Sequence, residues 1–246
     1  MKILRIGLVV EGKTDHIVIK ALFQHRISTL RPHAQVRFIE IQPCLDETGA
    51  STPGGWTHVY AWCMRNSPEA RESLYLGRPL FANTADANRC DVLVVALDSD
   101  ASAEIASKFS LAPPPPPPSP VERGEFIRST IVTWLWPNGG EVQDRHVPVA
   151  AVEAIETWLI AAFHETTHPE HIAAVDETFI NVYYDALGKA IPPGVKQVGK
   201  TPPNYEKISN VAANHSAKVT AACSNFDAAI RGILDNLDKI YPSVAT

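Results

Sequence analysis

The chain has 246 residues, of which 45% are apolar and 20% charged, and its formal net charge is −5. That length and apolar share can fill the core of one large domain, or of one domain with an appendage. The acidic balance argues against a nonspecific grip on nucleic acid by the whole surface, but not against a local basic groove or a DNA-binding partner. No run approaches the roughly 20 apolar residues that span a bilayer, and no secretory leader is expected. Cys44, Cys63, Cys90 and Cys223 are widely spaced, with no C-x-x-C pair. They are expected to be reduced, mostly buried thiols in a soluble, cytoplasmic protein and not a zinc site.

In chain order, residues 3–10 read as a buried strand, with a continuous apolar run from Ile6 to Val10. The stretch from Thr14 to about Leu30 has helical spacing, with Thr14 or Asp15 able to cap its start. Val36–Ile41 is a second strand, Thr48–Gly55 a turn-rich loop, and Val59–Met64 a helix. Residues 91–97 (Asp91-Val92-Leu93-Val94-Val95-Ala96-Leu97) are a second continuous apolar strand. Continuous rather than alternating apolarity predicts strands covered on both faces, as in a parallel sheet flanked by helices.

Pro113–Pro118 is a run of six prolines, which neither a helix nor a sheet interior accepts. It predicts a stiff polyproline loop within a 101–124 insertion beside the site. Glu125–Trp136 reads as a helix, His146–Ala150 as a strand and Val152–Phe163 as an amphipathic helix. Past Pro192 the chain reads as loop with scattered lysines, and Ala217–Leu237 as one or two closing helices. The expected division is an α/β domain over 1–165 and a helical extension over 166–246.

Both buried strands end on carboxylates: Glu11 and Asp15 after the first, Asp98 and Asp100 after the other. In parallel α/β sheets functional groups gather beyond the carboxyl ends of the strands. Acids brought together there repel one another unless a cation sits between them. Hard oxygen ligands of this kind suit magnesium or manganese.

The turn Glu11-Gly12-Lys13-Thr14-Asp15 and the pair Asp98-Ser99-Asp100 together resemble the TOPRIM domain of topoisomerases, primases and OLD-family nucleases. That domain carries an E-G-x-x-D turn and then a D-x-D pair. Glu156-Thr157-Trp158-Leu159 is similar to the E-x-W-L helix of small standalone TOPRIM proteins related to the DUF4276 group, and Cys223-Ser224-Asn225-Phe226 to their C-x-x-F element. The resemblance implies a TOPRIM-like, mostly parallel α/β fold with a helical C-terminal portion. It implies a divalent-metal-dependent nuclease, with Asp98 and Asp100 as ligands of Mg2+ or Mn2+ and Glu11 as ligand or general acid/base. Asp15, Glu153 and Glu156 would complete the metal set, with Glu153 and Glu156 on one helix face, and Lys207 or Lys200 would stabilise phosphate charge. It also implies nucleic acid, chiefly DNA, as substrate, an ABC-type ATPase as partner, and a role in defence against phage.

Other signals compete. A noncatalytic TOPRIM subunit, holding metal while a partner does the chemistry, would suit the acidic charge. His164-Glu165-Thr166-Thr167-His168 formally matches the H-E-x-x-H zinc peptidase pattern, with His171 and Glu177 nearby, but Pro169 ends any helix there. Asp98-Ser99-Asp100 is also similar to the opening motif of haloacid-dehalogenase-type phosphatases, which normally begins the domain, and to the D-x-D of sugar-nucleotide transferases.

Overall fold

The computed structural model describes residues 2–43, 54–77, 88–114, 118–139, 144–165, 168–172 and 174–241. β1 (Lys2–Val9) leads through the acid turn into α1 (Lys13–Leu30), which returns the chain to β2 (Ala34–Gln42), parallel to β1. α2 (Trp56–Arg65), α3 (Pro68–Arg71) and a π-helical turn at Glu72–Leu76 precede β3 (Val92–Asp98). α4 (Ser102–Phe109) and α5 (Pro120–Leu135) then lead to β4 (His146–Ala151). The rest is helical: α6 (Glu156–Phe163), α7 (Val175–Ala186), α8 (Pro202–Ala213), α9 (Ser216–Ala222) and α10 (Ser224–Ile240).

The four strands form one all-parallel sheet in the order β2-β1-β3-β4. Its two faces explain the unbroken apolar runs. On β3, Val92, Val94 and Ala96 enter a core shared with α1 and α6–α10, while Leu93, Val95 and Leu97 enter a second core under α2, α4 and α5. Each such burial of a valine or leucine contributes about 1.5–3 kcal/mol, so a polar residue between Val92 and Leu97 would have no solvated face to occupy. Trp158 is fully buried against Phe23 and Phe226, with ring centroids at 5.8 and 5.1 Å. Cys63, Cys90 and Cys223 are buried free thiols, and burial pushes each thiol up; Cys44 lies outside the described residues. No described helix is long and apolar enough to cross a membrane.

Several boundaries differ from the sequence reading. The 101–124 insertion is not all loop: α4 occupies Ser102–Phe109, and α5 begins at Pro120, ahead of the expected Glu125. The start signal is a capping box, Ser119 and Glu122, with Pro120 at the first helical position. Pro115–Pro117 lie outside the described residues, as do 48–53 of the turn-rich loop. The presumed loop past Pro192 contains α8, which starts on Pro202 after Thr201. Residues 152–155 are not helical, and α6 begins only at Glu156.

Candidate functional site

From β1 the chain crosses to β2 on one side, and β3 then lies on β1's other side, so strand order reverses between β1 and β3. Ligands in such sheets bind outside the carboxyl ends at this switch point. Glu11 follows β1 and Asp98 ends β3, so the two acids flank the crevice. A backbone bond fixes them to each other: the Asp98 N–H donates to Glu11 Oε1 at 2.7 Å. On its far side the Glu11 carbonyl accepts from the Gly55 N–H at 2.9 Å. Gly54 permits that approach, since a Cβ there would meet the Glu11 carbonyl oxygen at 2.7 Å.

Asp15 sits in the first turn of α1, where its Oδ2 accepts from the Gly12 N–H at 2.7 Å and caps the helix. The expected caps, Thr14 or Asp15, thus reduce to Asp15 acting backwards on Gly12. Glu156, at the start of α6, is 1% exposed. It accepts a short hydrogen bond from the Tyr205 hydroxyl on α8 and lies 3.4 Å from Lys200 Nζ. Asp98 feels the charges of Asp15, Glu11, Glu156 and Asp100 together, so five carboxylates from β1, α1, β3, the turn after β3 and α6 converge on one edge.

The electrostatics follow from this crowding. Burial, then the neighbouring acids, hold the Asp98 carboxyl well above the usual range. Burial raises Glu11 to about 8 against the pull of the Asp98 N–H, and Asp15 and Asp100 add to the rise. Burial and Glu156 raise Asp15 to about 7. Asp176, at the start of α7, is a further carboxylate close enough to raise Asp100. A lysine whose charge reaches these acids is Lys200, whose side chain is 62% exposed.

Two expected members are placed elsewhere. Glu153 does not share a helix face with Glu156, because α6 starts after it. It takes a left-handed backbone (φ 64°), its carboxylate pairs with Arg123 of α5, and its N–H donates to Ser99 Oγ at 2.8 Å. Its carbonyl accepts from the Asp100 N–H at 3.0 Å. Glu153 therefore braces the D-x-D turn through its backbone. Lys207 is exposed on α8, and Lys200, just ahead of that helix, is the lysine beside the acids. Tyr205 and Asp176 escaped the sequence reading. Thr201-Pro202 was the signal for a helix start, which places Tyr205 in the first turn on the face of Ile208 and Ala212.

The zinc peptidase pattern does not form a ligand face. α6 ends at Phe163 with His164 in an extended conformation, and His168 precedes a separate 3-10 turn at Pro169–His171. Thr166 and Thr167 lie outside the described residues. Among those described, no three His, Cys, Asp or Glu side chains are arranged to hold a metal ion. At the acid edge, Glu11, Asp15 and Glu156 each direct an oxygen at a protein donor.

Compared with known proteins, the chain matches no family model, no curated protein and no solved structure.

Proposed function

We propose that the chain is a divalent-metal-dependent phosphodiesterase acting on nucleic acid, chiefly DNA, through a TOPRIM-like acidic site. The observation that carries this reading is the convergence of Glu11, Asp15, Asp98, Asp100 and Glu156 at the β1/β3 switch point, with Lys200 as a cationic neighbour. Without added positive charge such a cluster keeps protons that exposed carboxylates release near pH 4. The donor set is all carboxylate oxygen, which fits magnesium or manganese and suits softer metals poorly.

Asp98, Asp100, Glu11 and Glu156 are the residues that would hold the ion, once their carboxylates turn from their present donors. Bound there, it would lower the pKa of a water and stabilise charge on phosphoryl oxygens. With no cation bound the Glu11 carboxyl lies near 8; an ion held there would pull it down and favour the carboxylate. Lys200 can hold a substrate phosphate at the rim, and Tyr205 keeps Glu156 oriented. An ABC-type ATPase partner and a role in phage defence rest on the motif resemblance alone.

A second reading, a noncatalytic metal-binding subunit, is favoured by one observation: the net charge of −5 suits a chain whose partner supplies the grip on nucleic acid. Cleavage of supercoiled plasmid with magnesium or manganese separates the two. For the nuclease, nicking by the wild type falls at least about a hundredfold in both Asp98→Ala and Glu11→Ala. Metal-dependent thermal stabilisation without any nicking selects the subunit. Nicking that survives both substitutions would sink the acid-edge assignment.

A further inference from the structure

α5 carries an arginine where its own helix does not favour one. Arg123 closes the first turn, its N–H on the Ser119 carbonyl at 3.0 Å, and the positive end of a helix dipole disfavours a cation there. Its side chain reaches two other segments. Nη1 pairs with the Glu153 carboxylate beyond β4, and Nη2 donates to the Glu170 carbonyl at 2.9 Å. We propose that Arg123 is a positioning residue of the acid site, holding the left-handed turn at Glu153 that sets the backbone of Asp100. Its role rests on the acid edge being a metal site.

Glu153 passes the restraint on through its backbone. Its N–H donates to Ser99 Oγ at 2.8 Å and its carbonyl accepts from the Asp100 N–H at 3.0 Å, so both of its peptide groups face the D-x-D turn. They do so at φ 64°, a conformation that residues with a side chain seldom adopt. Such backbone persists where its surroundings over-determine it. The carboxylate tied to Arg123 adds that determination from the side-chain end. Both side chains are mostly buried, at 18% and 24% exposed, so salt screens the pair weakly. Asp98 is already tied to the β1 end through Glu11. Asp100 lies beyond the strand end, in a 3-10 turn, and the bond from Glu153 fixes it relative to Asp98.

Arg123 is itself seated on its far side. The next residue, Gly124, lets α5 approach the start of α10, since a Cβ there would overlap Asn225 Oδ1. Glu170, whose carbonyl takes Nη2, has its carboxylate on the Ser224 and Asn225 N–H groups. The guanidinium is therefore fixed between the start of α10 and the turn after β4. A planar fork already ordered by one bond loses little further freedom in making the other.

The test compares Arg123→Gln, Glu153→Gln and Arg123→Lys in the full chain. In the metal-free protein, amide hydrogen exchange at Asp100 should quicken at least about tenfold in Arg123→Gln, while Val94 and Val95 of β3 keep their protection. Manganese affinity by calorimetry should fall at least about tenfold in each glutamine variant, and the double variant should be no weaker than either single one. Arg123→Lys, which keeps a charge beside Glu153, should bind manganese more tightly than Arg123→Gln. Glu153→Gln leaves the Arg123 bond to Glu170 in place, so it carries the test if Arg123→Gln does not fold. Unchanged exchange at Asp100, equal loss of protection along β3, or losses that add in the double variant overturn the proposal. A wild type that binds no manganese would sink the metal site, while exchange at Asp100 still decides whether Arg123 holds the turn.

Discussion

Among the described residues two glutamates are buried, and they are handled in opposite ways. Glu170 is 4% exposed and its carboxylate is saturated: Oε2 accepts from the Ser224 N–H and Oγ, and Oε1 from the Asn225 N–H and Nδ2, all between 3.0 and 3.2 Å. It supplies from a distant turn the cap that α10 lacks locally, since no side chain of its own N-cap bonds there. Glu156 is 1% exposed but shares its surroundings with four other carboxylates and relies on Tyr205 and a mostly exposed Lys200. A carboxylate that serves the fold is given donors until its lone pairs are used. One gathered with like charges at a sheet edge costs the fold stability, and such cost is characteristic of functional sites.

The sharpest break between the two is mutational. Glu170→Ala should lower unfolding free energy by about 3 kcal/mol, because two backbone N–H groups at the buried start of α10 lose their acceptor. Urea unfolding checks this, and a loss below about 1 kcal/mol would mean that water replaces the cap.

Next comes pH. Glu11 rises from 4.5 to about 8 on folding, and Asp15 from 3.8 to about 7. In that interval the folded chain binds more protons than the unfolded one, so stability falls as pH rises through it. The metal-free melting temperature should therefore decline from about pH 4.5 toward pH 8, and magnesium or manganese should recover most of the loss at the upper end. A melting temperature rising across that window would contradict the crowding described above.

Asp98→Asn removes an ionisable group from the centre of the cluster while keeping its shape. It should stabilise the metal-free protein by about 1–2 kcal/mol at pH 8 and flatten the pH dependence. Destabilisation would instead place Asp98 with Glu170, as a structural acid. The smallest effect belongs to Tyr205→Phe, which leaves Glu156 one donor short for about 1 kcal/mol of stability, measured by thermal melting.

Much of this contrast could be read in the sequence. The stretches at 3–10 and 91–97 gave buried strands because both faces of a parallel sheet need apolar side chains, and acids at their ends had to emerge at one edge. Glu156 was legible by resemblance and Glu11, Asp15, Asp98 and Asp100 by position. Glu153 misled because three-residue spacing implies a shared face only inside a helix, and the chain there is bent into a left-handed turn. Lys207 and Tyr205 depended on where α8 begins: Thr201-Pro202 looked like loop, yet proline at a first helical position starts a helix. Glu170 gave no local signal, since its donors are 54 and 55 residues away in sequence.

The two short backbone bonds into the acid edge have a spectroscopic corollary. The Gly12 amide donates to Asp15 and the Asp98 amide to Glu11, each at 2.7 Å. Any cation or proton that claims those oxygens must weaken or reorient both bonds. The proton chemical shifts of two amide resonances, one per strand end, therefore give a readout of site occupancy that needs neither substrate nor turnover.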